Sequence, residues 1–333
     1  MKKLLIMSGI ILTMLCIVFA AGCISDESSG KIVITNSDGT NVTLNQTAER
    51  IVLLNSNAGE ILYLLGDADK VVGISQSIAN NAGQVKMYPN AVVVGSWNEP
   101  DVEYLVSLDA DLVIGYASSK PKNAEVLASA GIPIVYIDCT KPETMARDIV
   151  EVGKISGNVE KAQEIADYYD EVIAKVKARA APVSMTSTVY AESYTAYWAQ
   201  GTDTGMGQLI SIAGGQNIMT DAGSRKISDE WVVSSSPEII VKLVNNMDTP
   251  EAGYDELVSR TGFSTISAVE NDQVWLLRND LTYGPRSCAA AVALAKMIHP
   301  DVFADMSVED VLNEFNSRFG TEFDVTGLTY PEL

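Results

Sequence analysis

Short apolar runs alternate with segments of helical periodicity through the first half of this chain. Four runs predict buried strands, at Arg50–Asn55, Val71–Ile74, Leu112–Tyr116 and Ile134–Ile137. Helices are predicted at Ala58–Leu65, ended by Gly66, and at Ala124–Ala130, ended by Gly131. An earlier hairpin is predicted from Lys31–Thr35 and Val42–Leu44, with Asp38-Gly39 as its turn. Strands that alternate with helices indicate parallel βα units with helices on both faces of the sheet.

The alternation stops between Lys141 and Ala180, where no strand is indicated. Residues Asn158–Ala178 carry apolar side chains at helical spacing, which predicts one helix about 30 Å long. A second βα series follows at Thr188–Glu192, Gly207–Ala213, Pro237–Val241, Tyr254–Arg260, Gln273–Leu277 and Ala289–Ile298. We therefore predict an N-terminal lobe over 31–156, a connecting helix over 157–180 and a C-terminal lobe over 181–333.

Two segments of equal length repeat each other across these lobes. The first is EYLVSLDADLVI, from Glu103 to Ile114, and the second is EWVVSSSPEIIV, from Glu230 to Val241. Each predicts a short helix that begins with a glutamate, then a turn, then a buried strand. Each lobe is therefore expected to present one glutamate at the start of a helix.

Charge excludes whole classes of function. The formal net charge is -20, whereas nucleic-acid binding requires Lys and Arg to neutralise phosphates. The same charge disfavours adhesion of the protein surface to anionic lipid. An apolar content of 47% is ample for real cores, so a folded protein is expected.

The N-terminus indicates export. Met1-Lys2-Lys3 is followed by an apolar run, Leu4–Ala21, and small residues precede Cys23. This pattern resembles a lipoprotein signal peptide, with 1–22 removed, Cys23 lipidated and 23–30 serving as a tether. The alternative is an uncleaved N-terminal anchor, since the run is just long enough to span a bilayer. Both place the body outside the cell, at the outer face of the cytoplasmic membrane.

The sequence lacks the residues that several common kinds of functional site require. His299 is the only histidine, so a multi-histidine metal site cannot form, and its position favours a helix C-terminal cap. Gly201–Gly207 lacks the spacing of a dinucleotide loop and a preceding strand, so we interpret it as an ordinary loop. Cys139 and Cys288 are predicted as buried small side chains, with a disulfide as the alternative. The sequons at Asn41 and Asn45 leave glycosylation open.

Aromatic residues are concentrated in the predicted loops that follow strands. They are Trp97, Tyr116, Tyr194, Tyr197, Trp198 and Tyr283. Loops at the carboxyl ends of strands line the ligand crevice of open α/β sheets, and aromatic rings there stack on a flat or bulky ligand. Arg286 follows Tyr283 closely and is suited to an anionic group. For any single ring, packing in the core or hinge is the alternative.

The order of these features resembles the substrate-binding proteins of ABC importers for iron-siderophore, haem and vitamin B12-type ligands. The resemblance runs from about Lys31 onward and rests on RIVLLNSNAGEILYLLGDADKVVGIS, GSWNEPDVEYLVSLDADLVIGY, AGGQNI, ISDEWVVSSSPEIIV and YGPRSCAAAVALAKMIHPDVF. It implies an α/β fold of two Rossmann-like lobes joined by one long α-helix, with the ligand cleft between the lobes.

The resemblance also implies partners and roles. In this family a surface glutamate of each lobe docks onto arginines of the permease, and the matching residues are Glu103 and Glu230. The alternative is that each glutamate only complements its helix dipole. The implied partners are an ABC permease with its ATPase and a small-molecule metal chelate. The expected protein is a monomer and not an enzyme, with no cofactor or metal of its own.

Ligand identity is left open between two chelate types. Cobalamin-binding members carry aromatic residues at positions that match Trp97 and Tyr116. Some also carry a tryptophan shortly before the docking glutamate, where this chain has Ser224-Arg225-Lys226. Ferric chelate binders use Arg and Tyr, for which Arg286, Arg225 and Tyr194 are the candidates. The alternative functions are an extracytoplasmic two-lobed α/β enzyme acting in the same cleft and an adhesion or scaffold protein.

Overall fold

The structure is a computed structural model that describes residues 30–184 and 186–333. The predicted signal peptide, Cys23 and the tether before Gly30 lie outside the described residues. In the described part of the chain no helix is long and apolar enough to cross a membrane.

The first sheet is formed by residues that precede the long helix. The strands of this half are β1 Ile32–Thr35, β2 Asn41–Leu44, β3 Ile51–Leu53, β4 Val71–Ile74, β5 Val92–Val93, β6 Gly95–Ser96, β7 Glu99–Pro100, β8 Leu112–Gly115 and β9 Ile134–Tyr136. Its helices are α1 Ser56–Leu65, α2 Gln76–Ala79, α3 Val102–Ser107, α4 Ala124–Ser129, α5 Pro142–Ser156 and α6 Val159–Ala180. The sheet has the order β5-β4-β3-β8-β9 and is parallel throughout. The predicted hairpin β1–β2 is antiparallel and separate from it.

The second sheet is formed by residues that follow α6. Its strands are β10 Thr188–Glu192, β11 Trp198–Gln200, β12 Gln216–Asn217, β13 Ser224–Lys226, β14 Ile239–Val244, β15 Val274–Arg278 and β16 Thr329–Tyr330. The helices are α7 Gly205–Ile212, α8 Asp229–Ser235, α9 Pro250–Val258, α10 Ser267–Glu270, α11 Ser287–Ile298 and α12 Val308–Phe319. The order is β13-β11-β10-β14-β15-β16, with β12 also beside β10. Strands β10, β12, β14 and β15 are parallel, and β11, β13 and β16 are antiparallel additions. The predicted α/β fold with two lobes is confirmed.

Helix α6 joins the two halves and packs on both. Ile165, Tyr169 and Val176 on its buried face belong to a core cluster that contains residues of both sheets. The Tyr169 hydroxyl lies 3.1 Å from Ser287 Oγ at the start of α11. Since this core continues from one lobe to the other, large rigid-body rotation of the lobes would disrupt buried packing.

The lobes also touch through backbone. The Gly284 N–H donates to the Cys139 carbonyl over 2.9 Å. At Gly205, a Cβ atom would lie 2.1 Å from the Thr140 carbonyl oxygen, so only glycine permits this approach of α7 to the N-terminal lobe. Cys139 and Cys288 are both buried and free, as expected.

The repeated segments have the same local structure. Asp109 and Ser236 occupy equivalent positions, and both have positive φ, 49° and 39°. Two residues after each of them, a carboxylate accepts a hydrogen bond from a backbone N–H at the start of the neighbouring strand. Asp111 Oδ2 accepts from the Arg50 N–H over 3.1 Å, and Glu238 Oε2 accepts from the Thr188 N–H over 2.8 Å. The predicted helix, turn and strand are therefore confirmed in both lobes.

Some elements differ from the sequence-based expectation. The segment Gly201–Gly207 does follow a strand, since β11 ends at Gln200, and its last part is the first turn of α7. Helices α5 and α12 were not placed from the sequence. The pattern of α12 is visible in retrospect, because Val308, Val311, Leu312, Phe315 and Phe319 are its buried residues and Ser307 caps its first turn.

Candidate ligand site

Trp97 and Tyr116 form an aromatic pair on the N-terminal lobe. Their ring centroids are 6.2 Å apart and their planes are nearly perpendicular at 88°, an edge-to-face contact. The Tyr116 hydroxyl lies 3.4 Å from Ser56 Oγ at the start of α1. Burial raises the pKa of the Tyr116 phenol, so this side chain offers a neutral hydroxyl. Both rings are half-buried; Tyr116 directly follows the parallel strand β8, and Trp97 lies in the turn between the short antiparallel strands β6 and β7.

The backbone after Tyr116 is fixed by one carboxylate. Asp138 Oδ1 accepts from the N–H groups of Ala117 and Ser118 over 2.8 and 3.1 Å. The Asn57 side chain in turn donates to the Asp138 carbonyl over 3.2 Å. These bonds tie the carboxyl ends of β8 and β9 to the start of α1, so the aromatic wall has a rigid support.

Tyr283 and Tyr194 are the candidate ligand-contacting rings of the C-terminal lobe. Tyr283 follows β15 and is half-buried, and Tyr194 follows β10 and is 56% exposed. Burial raises the pKa of the Tyr283 phenol, and Tyr194 and Tyr116 are close enough to raise it further. The pKa of the Tyr283 phenol therefore responds to a phenol of each lobe, and both Tyr283 and Tyr116 follow parallel strands, at whose carboxyl ends open α/β sheets bind ligands.

Trp198 and Tyr197 have different positions. Trp198 is 40% exposed in β11, and its register partner in β13 is Lys226. Tyr197 contradicts the expectation of a cleft ring, because it packs edge-on against Phe263 at 6.4 Å and covers the Arg260 guanidinium at 4.8 Å. The ring belongs to the packing of the C-terminal lobe.

Arg286 does not present a free cation to the cleft. Its side chain is 4% exposed, with Nη2 2.7 Å from Glu60 Oε2 and Nη1 2.9 Å from Asp280 Oδ2. Burial opposes ionisation of Asp280, but Arg286 and Arg278 outweigh it and lower the pKa of that carboxyl. The expected contact of Arg286 with an anionic ligand is thus replaced by an ion pair between the lobes. Sequence reasoning missed Glu60, whose signal is a single carboxylate inside an apolar helix.

Arg225, the other arginine considered for an anionic ligand, is also paired. Its Nη1 lies 2.6 Å from Asp221 Oδ2, and both side chains are more than half exposed. This pair is at the surface of the C-terminal lobe. Exposed pairs of this kind contribute little to stability.

Glu103 and Glu230 occupy the same position in two short helices. Each is the second residue of its helix, α3 or α8, and each is exposed. Neither forms an ion pair with a described residue, and neither caps its helix, since the caps are made by Asp101 and Ser228. The two carboxylates are therefore available to cationic groups of a partner.

His299 lies at the C-terminal cap of α11, as predicted, but not as a cation. It is 8% exposed, and burial lowers its pKa, so the imidazole is neutral near pH 7. Among residues 30–184 and 186–333, no cluster of His, Cys, Asp or Glu suits a metal ion.

Two α/β lobes joined by one helix, with aromatic side chains after parallel strands of both lobes, are the architecture of a two-lobed binding protein. The model of the family described as periplasmic binding protein matches residues 51–281, and the chain belongs to this family.

Three relatives illustrate the similarity. The uncharacterized ABC transporter substrate-binding lipoprotein YvrC of Bacillus subtilis is 27% identical over 314 residues, covering 88% of this chain and 96% of the relative. The cobalamin-binding protein of Halobacterium salinarum is 31% identical over 218 residues, 62% of this chain and 58% of the relative. The crystal structure of the TroA-like periplasmic binding protein FepB from Veillonella parvula aligns with a TM-score of 0.73 at 27% identity, covering 86% and 96% of the two chains.

Proposed function

We propose that this chain is the extracytoplasmic substrate-binding component of an ABC importer that captures a metal chelate between its lobes. Its cargo is of the corrinoid type, with a ferric siderophore as the second candidate. The observation that carries the proposal is the edge-to-face pair of Trp97 and Tyr116 on the N-terminal lobe, with Tyr283 of the C-terminal lobe near enough to Tyr116 for the two phenols to interact electrostatically.

The chemistry of this wall favours a bulky ligand held by rings and hydroxyls. Aromatic side chains supply large contact areas, and the phenols add neutral hydrogen-bonding groups. The two arginines that would suit an anionic chelate, Arg286 and Arg225, are both paired with carboxylates. A relative of 31% identity is named a cobalamin-binding protein, which agrees with the corrinoid type.

Delivery of the ligand to the permease would use one exposed carboxylate on each lobe. Glu103 on one lobe and Glu230 on the other would each bind a cationic group of the permease, and the ATPase would complete the transporter. Lipidation at Cys23 would hold the protein near that permease and raise its effective concentration. The similarity to a lipoprotein named as an ABC transporter substrate-binding protein supports this arrangement.

The alternative of an enzyme using the same cleft has less support. The relatives with named roles are substrate-binding or ligand-binding proteins. The phenols at the cleft have raised pKa values, which suits hydrogen bonding more than proton abstraction near pH 7.

A titration tests the ligand class. The chain without residues 1–23 is titrated with cyanocobalamin, a ferric hydroxamate siderophore and haem, and tryptophan fluorescence is followed. We expect saturable binding of cyanocobalamin in the micromolar range or tighter, since Trp97 lies in the proposed wall. Binding of the siderophore alone would select the second candidate, and binding of none would refute the ligand class.

A further inference from the structure

A buried carboxylate, Glu192, lies at the end of β10, directly beneath the loop that carries Tyr194. It is 0% exposed and accepts from four different groups. Lys242 Nζ is 2.6 Å from Oε1, Arg260 Nη1 is 2.9 Å from Oε2, the Tyr190 hydroxyl is 2.7 Å from Oε2, and the Tyr197 N–H is 2.9 Å from Oε2. All four contacts are made within the C-terminal lobe, so the cluster is part of the internal structure of that lobe.

The cluster holds the loop 193–197 at both ends. Lys242 Nζ donates to the Ser193 carbonyl over 2.6 Å, which fixes the first residue of the loop. Glu192 accepts from the N–H of Tyr197, which fixes the last. Tyr197 has a positive φ of 59°, a conformation that a bulky residue adopts only when its surroundings impose it.

Tyr197 also connects this loop to the proposed docking helix. Its carbonyl accepts from the Ile227 N–H over 2.9 Å, and Ser228, the next residue, caps α8, which carries Glu230. Burial raises the pKa of the Tyr197 phenol, Arg260 opposes the shift, and Asp229, the first residue of α8, adds to it. The backbone hydrogen bond between Tyr197 and Ile227 joins the loop to the start of α8.

We propose that Glu192 is a positioning residue that sets the cleft loop bearing Tyr194 and, through Tyr197, the docking helix bearing Glu230. The proposal rests on the proposed function for the roles of Tyr194 and Glu230. The chain of contacts itself is Glu192 to the Tyr197 N–H, then the Tyr197 carbonyl to the Ile227 N–H.

The test is amide hydrogen exchange of the full chain, without ligand, followed on peptides that cover 193–200 and 225–233. In Glu192→Gln, both peptides should exchange about tenfold faster than in the wild type, because a neutral amide cannot balance Lys242 and Arg260. Peptides from α11 should keep the wild-type rate. Glu151→Gln is the matched control, since Glu151 is also a buried carboxylate that pairs with a lysine and accepts from a backbone N–H, in the other lobe.

A second variant distinguishes the contact at the start of the loop from the contact at its end. Lys242→Met removes the bond to the Ser193 carbonyl and the ion pair with Glu192 Oε1, and leaves the contacts of Glu192 Oε2 with Arg260 and the Tyr197 N–H in place. We expect faster exchange over 193–200 and an unchanged rate over 225–233. This comparison also serves if Glu192→Gln does not fold. The proposal is overturned if Glu192→Gln exchanges like the wild type over 225–233, or if Lys242→Met accelerates both peptides equally.

Failure of the proposed function gives a different result. If none of the three chelates binds the wild-type protein, the ligand class is wrong, but the exchange rates of the unliganded variants are unaffected. If a chelate binds and the exchange rates do not change in Glu192→Gln, the positioning role is wrong while the proposed function stands.

Discussion

Glu60 and Arg286 form a buried ion pair between the lobes, with 2.7 Å between Oε2 and Nη2. Glu60 lies in α1, whose first residue contacts Tyr116, and Arg286 lies three residues after Tyr283. The pair therefore connects α1, which contacts Tyr116, to the segment that carries Tyr283. Together with the core around α6, it favours a cleft of nearly constant width over one that closes by a large hinge motion.

Removal of Arg286 should destabilise the protein strongly. Arg286→Met leaves Glu60 buried without its partner, which typically costs about 3–5 kcal/mol in the free energy of unfolding. Urea unfolding measures this loss. The double variant Glu60→Gln with Arg286→Met should recover part of it, because the unpaired charge is gone.

The control for this prediction is an exposed pair. Lys122→Met breaks the contact between Lys122 and Glu99, two side chains that are each more than 60% exposed. This change should alter the free energy of unfolding by no more than about 1 kcal/mol. If Arg286→Met weakened chelate binding while leaving the unfolding free energy unchanged, the ion-pair interpretation would be wrong and Arg286 would be a ligand contact.

The aromatic walls should determine affinity. Trp97→Ala and Tyr283→Ala are each expected to weaken binding of cyanocobalamin by about tenfold or more, as for buried aromatic anchors. Isothermal titration calorimetry measures the change. Tyr254→Ala is the matched control, because Tyr254 packs edge-on against Tyr330 at 5.8 Å rather than against a proposed wall residue. Equal losses in all three variants would argue against a specific role for the walls.

The two exposed glutamates should act in transport and not in ligand capture. Charge reversal in Glu103→Lys and Glu230→Lys should abolish uptake of the chelate by cells that carry the cognate permease, because like charges then face each other. Affinity for the chelate in solution should be unchanged. Glu125→Lys is the control, since Glu125 is also an exposed glutamate in the first turn of a helix. A loss of ligand affinity at Glu103 or Glu230 would contradict the docking assignment.

Stability should fall in acid through Glu192. Burial opposes ionisation of this carboxyl, but Arg260 and Lys242 outweigh it and hold its pKa below the ordinary value of 4.5. A lowered folded-state pKa contributes stability that is present above pH 4.5 and is lost as the pH falls further. The difference in unfolding free energy between wild type and Glu192→Gln, measured by urea unfolding, should therefore shrink below pH 4.5. A difference that does not vary with pH would show that Glu192 is not charged in the folded protein.

Local signals in the sequence predicted much of the fold. The strand at Val71–Ile74 and the strand at Thr188–Glu192 have the predicted bounds, because runs of apolar residues between turns leave few alternatives. Helix α1 ends at Gly66, which takes the left-handed conformation expected of a C-terminal cap. The repeated segments have equivalent local structure because each contains its own cap, turn and strand.

The candidate site was predicted only in part. The sequence predicts Trp97, Tyr116, Tyr194 and Tyr283 as rings in loops after strands, and the structure packs Trp97 against Tyr116 edge-to-face. Tyr197 has the same sequence signal as Tyr194, yet its backbone turns to positive φ and directs the ring into the lobe. That turn depends on Glu192 and Arg260, which no local pattern specifies.

The sequence by itself determined the alternation of the main strands and helices, the break into two lobes and the acidic charge, because these depend on neighbouring residues and composition. Only the tertiary structure decided what Arg286 does. Its partner Glu60 lies 226 residues away in the other lobe, and periodicity carries no information about which distant charge will be buried beside it. The energy of such a pair arises only when both groups leave water together, which the folded chain alone brings about.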